Sequence, residues 1–208
     1  SRIQAGVSSS ATASTADPLL SAQADAEAAG LKALASSTLT GSLSSAKVAL
    51  VVLPGASDDD VAAIRSTLTD AGASVVGRVT LSDNWQSTSM NQYRTTLYTT
   101  LASHLASGAA KTASADGVVG YSIVQVLTTT GAKTDLLRQI LTDESKPIMT
   151  VDEDANGGAT AIVAVGPRAQ ASAVSNATPA AETQSPDAWV GLGQALGSTN
   201  GVLVGDAS

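Results

Sequence analysis

Residues 48–81 read VALVVLPGASDDDVAAIRSTLTDAGASVVGRVTL, and this stretch decides the fold. Val48-Ala49-Leu50-Val51-Val52-Leu53 is a continuous apolar run rather than an alternating one, the pattern of a strand covered on both faces of a parallel sheet. Pro54-Gly55 ends it. Ser57 then offers its hydroxyl as a helix N-cap, and Asp58, Asp59 and Asp60 occupy the first turn, where the positive end of the helix dipole favours carboxylates. Val61, Ile64, Leu68 and Ala71 recur on one face of that helix, Gly72 closes it, and Ser74 to Leu81 returns as a second strand. A strand, a crossover helix and a strand make one βαβ unit, whose two strands run parallel.

Working outward, the same grammar repeats. QSTSMNQ, beyond Trp85, reads as a loop, followed by a helix near Gln92 to Ala106 with Tyr93, Leu97, Leu101 and Leu105 in register. Two further helical segments fall near 117–129 and 133–142, although Ile123-Val124-Gln125-Val126 is β-branched enough to suit a strand. Lys146 to Val151 reads as a short extended piece, Ala159 to Val165 as a third strand, 168–186 as a polar loop, Pro186 to Leu196 as a helix and Gly201 to Val204 as a fourth strand. The order predicts an α/β fold over residues 46–208: a Rossmann-like, doubly wound, mainly parallel sheet of at least four strands. Upstream, residues 1–16 are small and polar, as in a mobile arm or linker. Residues 17–45 hold an N-terminal helix and its connection. Asp17-Pro18 opens the helix, and Leu20, Ala24, Ala28, Leu31 and Ala35 form a thin apolar stripe. That stripe suits either a helix packed on its own domain or the end of a coiled-coil stalk.

Composition narrows the function. Hydrophobic residues make up 43% of the 208, but 38 are alanines and none is phenylalanine, so the core is built from closely packed Val, Leu, Ile and Ala. Eleven basic against 18 acidic side chains give a net charge of −7, which argues against partners that are nucleic acids or anionic membrane surfaces. There is no cysteine, hence no disulfide and no thiolate cage. The longest apolar run, Val48 to Leu53, falls far short of the roughly 20 residues that span a bilayer as a helix. No charged-then-apolar leader follows Ser1, so any signal or anchor was removed or never present, and an excised soluble portion is expected.

In an open parallel sheet, ligands sit outside the carboxyl ends of the strands. Pro54, Gly55, Ser82, Asp83 and Gly166 lie at those ends and are the candidate ligand-binding residues; Arg168 and Asp206 follow other strand ends. LPGASDDD lacks both glycine-rich phosphate patterns, and its aspartates repel a pyrophosphate where a nucleotide would bind. His104, the single histidine, lies beside the Leu101 and Leu105 stripe as a boundary residue with its ring half covered. Gly120-Tyr121-Ser122-Ile123-Val124 begins like a nucleophile elbow, but Val124 replaces the second glycine, so no catalytic residue is assigned. Asp143, Glu144, Asp152, Glu153 and Asp154 read as solvated charge in exposed turns, with ordinary acidity. Met90, Met149 and His104 are the soft ligands, and no two form a close-spaced motif, so the metal ligands are unknown and no cofactor is expected from the residues.

The alanine-rich helix, Leu31-Lys32-Ala33-Leu34-Ala35, Thr40-Gly41-Ser42-Leu43 and Lys47-Val48-Ala49-Leu50-Val51-Val52-Leu53-Pro54-Gly55-Ala56 together resemble the mycobacterial copper transport protein B (MctB) family of actinobacteria. The resemblance continues through Ala71-Gly72-Ala73 and Thr160 to Gly166 and spans roughly residues 20–206. It implies an extracytoplasmic, cell-envelope portion of a protein held by a membrane segment absent from this chain, with a coiled-coil portion, a Rossmann-like domain and a role in copper export or resistance. Copper enters only through this resemblance, as do partners, by self-association or among envelope proteins. An outer-membrane channel fits poorly, because parallel α/β patterning cannot satisfy its backbone in lipid. The leading expectation is a non-enzymatic module in copper transport or homeostasis. A small-molecule-binding domain using the sheet rim and an unrecognised hydrolase are the alternatives.

Overall fold

The computed structural model describes residues 43–106, 108–167 and 184–205. The arm expected at 1–16, the helix expected from Asp17 to Ser36, Arg168, most of the 168–186 loop and Asp206 lie outside the described residues. Five strands form one sheet in the order β3-β2-β1-β4-β5: β1 (Lys47–Val52), β2 (Ser74–Leu81), β3 (Met149–Glu153), β4 (Ala161–Val165) and β5 (Gly201–Val204). β1 pairs parallel with β2 and β4, and β4 parallel with β5. The fold is the expected α/β arrangement around a mainly parallel sheet. The extended piece at Lys146 to Val151 is instead the approach to a fifth strand, β3, antiparallel to β2 at the sheet edge. Its five residues alternate buried and open, as suits an edge strand.

β1 is the centre. Val48, Leu50 and Val52 face α1 (Asp58–Asp70), where Val61, Ile64 and Leu68 meet them. Ser57 caps α1 as expected, accepting from the Asp60 N–H at 3.1 Å, and Gly72 takes φ +92° to turn the chain into β2. Ala49, Val51 and Leu53 point to the other face, into a larger core with Val79, Leu81, Ile162 and Ala164. That core is completed by α3 (Asn91–His104), α5 (Ala115–Thr128), α6 (Ala132–Leu141) and α7 (Pro186–Gly197). Two short helices, α2 (Asp83–Gln86) and α4 (Gly108–Lys111), fill the connections, so part of the expected QSTSMNQ loop is helical.

The β-branched Ile123 to Val126 run is helical. Burial continues around α5 from Gly117 to Leu127 apart from Tyr121, because it packs against α3, α6 and α7 at once, and a helix enclosed on all sides can be apolar all round. Two glycines make this approach close. A Cβ on Gly120 would lie 2.7 Å from the Gly191 carbonyl oxygen, and one on Gly191 would lie 2.5 Å from the carbonyl carbon of Asp116, so α5 and α7 meet backbone to backbone.

Candidate functional site

β2, β1, β4 and β5 end at one rim, and the chain order reverses between β1 and β4. At this switch point the strands stay tied beyond their ends. The Leu53 N–H donates to the Val165 carbonyl at 2.9 Å, and the Gly166 N–H to the Val204 carbonyl at 2.7 Å. Gly55 turns at φ +84°, and a Cβ there would sit 3.4 Å from the Pro167 Cβ. Pro54, Gly55 and Gly166 therefore border a switch point where Pro167 stands beside Gly55.

The open part of the rim lies at the end of β2. Ser82 donates its hydroxyl to the Pro147 carbonyl and its N–H to the Ile148 carbonyl, and the Asn84 side chain donates to Pro147 at 3.0 Å. Those bonds pin the approach to β3. Asp83, next in the chain, lines a cleft of about 320 Å³ with Gln86, Ser87 and Gln184. Thus one of the five sequence candidates reaches the cleft, Ser82 braces it, and the other three stand at the switch point beside Pro167. Gln184 arrives from a distant loop by an antiparallel bridge to Ser87, reinforced by the Ser185 N–H donating to the Gln86 carbonyl at 2.7 Å. Gln86, Ser87 and Gln184 were missed because a polar loop carries no periodicity and the bridge is long-range. Gln86 is only 8% exposed, and its side-chain oxygen has no partner among the described residues; nor have the ring nitrogens of Trp85 and Trp189, whose rings meet edge-on at 5.4 Å. A carboxylate, two amides and a hydroxyl suit the hydroxyls of a small neutral ligand.

Beneath the cleft lies Arg94, which sequence reading leaves unremarked and which is 1% exposed. Its Nε donates to Asp116 at 2.6 Å, one terminal nitrogen donates to the Asn84 and Ser87 carbonyls at 2.9 and 2.8 Å, and the other donates to the Asn91 side chain. A buried guanidinium persists because its donors are spent on a carboxylate, an amide oxygen and the Asn84 and Ser87 carbonyls around the end of α2.

The acidic run at 152–154 is corrected. Asp152 and Glu153 belong to β3, and neighbouring basic residues claim all three carboxylates. Arg65 of α1 grips Glu153 through two bonds of 2.6 and 2.9 Å, Thr80 and Arg78 approach Asp152 at 2.6 and 3.5 Å, and Arg138 of α6 bonds Asp154 at 3.1 Å. Hydrogen bonding from Arg65 holds Glu153 below the usual carboxylate range; the Asn156 N–H and then Arg138 do the same for Asp154. At exposed Asp143, hydrogen bonds from the Ser145 hydroxyl and N–H lower the pKa.

The family described as Copper transport outer membrane protein, MctB, matches residues 6–208. The chain belongs to this family. No curated protein matches it. The family name connects the chain with copper transport and with the outer membrane, and hence with the envelope. Among the described residues of this MctB member, no helix is long and apolar enough to cross a membrane. Its described sheet is open, ending at β3 and β5.

Copper is the cargo that the MctB name puts in question, and the soft side chains are dispersed. Met90 precedes α3 and half-buried His104 ends it, so its 14 residues set them about 21 Å apart along the axis. Met149 is 1% exposed in β3, packed in the core. Among the described residues, no group of three or more His, Cys, Asp or Glu side chains is placed to hold a metal ion. Ser122, of the elbow-like sequence, is fully buried in α5 and donates to the Val118 carbonyl at 2.7 Å, out of reach of water.

Proposed function

We propose that this MctB-family chain is a non-enzymatic envelope module that supports copper transport or homeostasis through partners, anchored by a segment outside this sequence, rather than carrying the ion itself. Family membership supports the copper connection, and the separation of Met90 from His104, with Met149 buried in the core, carries the supporting role. Copper(I) prefers thiolates, thioethers and imidazoles, and a tight site needs two or three of them within bonding distance of one point. Anaerobic calorimetric titration with copper(I) tests this. Binding is expected to be weak, and unchanged in His104→Ala. Cells lacking the gene should recover copper tolerance equally with the wild-type and His104→Ala full-length proteins. A tight stoichiometric site lost in His104→Ala would overturn the reading and make the chain a direct carrier.

A second reading rests on the cleft at Asp83, Gln86 and Gln184, where the buried amide oxygen of Gln86, without a partner among the described residues, suits a ligand hydroxyl. Chemical-shift titration with neutral monosaccharides tests it. Shifts confined to Asp83, Gln86 and Gln184 would support it, and an unresponsive spectrum would remove it.

A further inference from the structure

The two edges of the sheet differ. β3 carries the charged Asp152 and Glu153, which discourage pairing with another strand. β5 is Gly-Val-Leu-Val, with no charge and no proline, and all three of its large side chains are open: Val202 at 57%, Leu203 at 42% and Val204 at 43%. Its register places Val202 beside Val163 and Val204 beside Val165 on the α1 face, and Leu203 beside Ala164 on the opposite face. Between α1 and β5 runs an apolar groove of about 550 Å³, lined by residues including Leu43, Val48, Leu68, Val163, Val202 and Val204. Among the described residues no charged side chain lines it, in a chain of net charge −7.

The backbone selects the occupant. Ile162 and Gly166 donate their N–H groups to the carbonyls of Asn200 and Val204, so the even-numbered carbonyls of β5 face β4. Alternation then turns the N–H and C=O of Leu203 outward. A helix laid in the groove would cover Val202 and Val204 and leave Leu203, on the other face, in water. A strand added along the edge flanks all three and pairs the outward groups. Two copies that repel elsewhere through like charge meet here without it.

We propose that β5 pairs antiparallel with β5 of a second copy about a twofold axis at Leu203, joining two five-stranded sheets into one. The two Leu203 residues then exchange a pair of hydrogen bonds, and each Gly205 N–H meets the Gly201 carbonyl of the other copy. Val202 lies opposite Val204 of the other copy, and the two grooves become one trough on the α1 face. The proposal stands apart from the copper reading.

Sedimentation velocity and hydrogen exchange on the full chain test it. The wild type should dimerise in the range of about 10–100 μM, with exchange over 201–205 slowing as concentration rises. Leu203→Pro removes only an outward N–H, a position where an edge strand tolerates proline, and Leu203→Lys keeps the N–H but sets two ammonium groups face to face. Loss of the two Leu203 bonds should weaken association about thirtyfold, with circular dichroism unchanged. A wild type monomeric at about 300 μM overturns the proposal and leaves the groove to a different partner. So does a dimer in which both variants associate normally and exchange over 201–205 ignores concentration.

Discussion

Replacing Arg94 by methionine keeps the aliphatic stem and removes the guanidinium. The change strands the Asp116 carboxylate, which is 14% exposed, and takes a donor from the Asn84 and Ser87 carbonyls, the second of which still accepts from the Met90 N–H at 3.1 Å. Breaking a buried ion pair from one side costs about 3–5 kcal/mol, because the remaining charge has lost its partner in a poorly solvated site. With a urea m-value of about 2 kcal/mol per molar, the unfolding midpoint should fall by about 2 M. Asp116→Asn in the Arg94→Met background removes the stranded charge and should recover about 1–2 kcal/mol, while the Asn84 and Ser87 carbonyls remain without the donor that Arg94 supplied. The assay is urea unfolding of wild type, both single variants and the double variant, followed by the fluorescence of Trp85 and Trp189, which pack against each other. If the double variant is no more stable than Arg94→Met, the carboxylate was never the stranded group. If Arg94→Met itself shifts the midpoint by less than about 0.3 M, this guanidinium does not hold the rim together.

Val51 is fully buried between Val79 and Ala164, so Val51→Asp buries an unpaired carboxylate and should unfold the domain, with loss of the cooperative melt in circular dichroism; an unchanged melt would exclude β1 from the core. Gly191→Ala drives a methyl into the Asp116 carbonyl and should lower stability by about 1–3 kcal/mol by forcing α7 from α5, whereas Gly193→Ala, whose Cβ meets nothing within 4 Å, should hold or raise it. Arg65 and Glu153 are two-fifths open to water, with side chains 40% and 42% exposed, so Glu153→Gln should cost at most about 1 kcal/mol at pH 7. Because pairing lowers the pKa of Glu153 in the folded state, the wild-type advantage is fully present above the ordinary value of 4.5 and disappears as pH falls through the lowered one; urea titrations at pH 7 and near pH 2.5 read it, and an advantage that grows on acidification would reverse the sign argued here.

The sequence by itself determined what short-range chemistry controls. Val48 to Leu53 is apolar on both alternations, so it had to be covered on both faces, and Ser57, the three aspartates and Gly72 bound a crossover helix whose length leaves β1 and β2 parallel. The switch-point residues Pro54, Gly55 and Gly166 could be placed at a rim in this way. What meets Gly55 there could not, because Pro167 reaches it from the end of a different strand. β3 was read as a mere extended piece because alternating burial over five residues is a weak signal, and its antiparallel place beside β2 depends on a turn in space after α6. Arg94 looks like surface in any local window. Only the meeting of Asn84, Ser87, Asn91 and Asp116 around it supplies enough acceptors to take a cation out of water. The same holds for Ile123 to Val126, whose β-branching favours a strand until helices on several sides reward a helix with burial. β5 is the converse: its apolar sequence reads simply as a fourth strand, and tertiary structure leaves it an open edge because α1 stands away across the groove and no sixth strand follows among the described residues. Local pattern fixes which segments are apolar, and the surfaces that meet them are set by contacts between residues far apart in the chain.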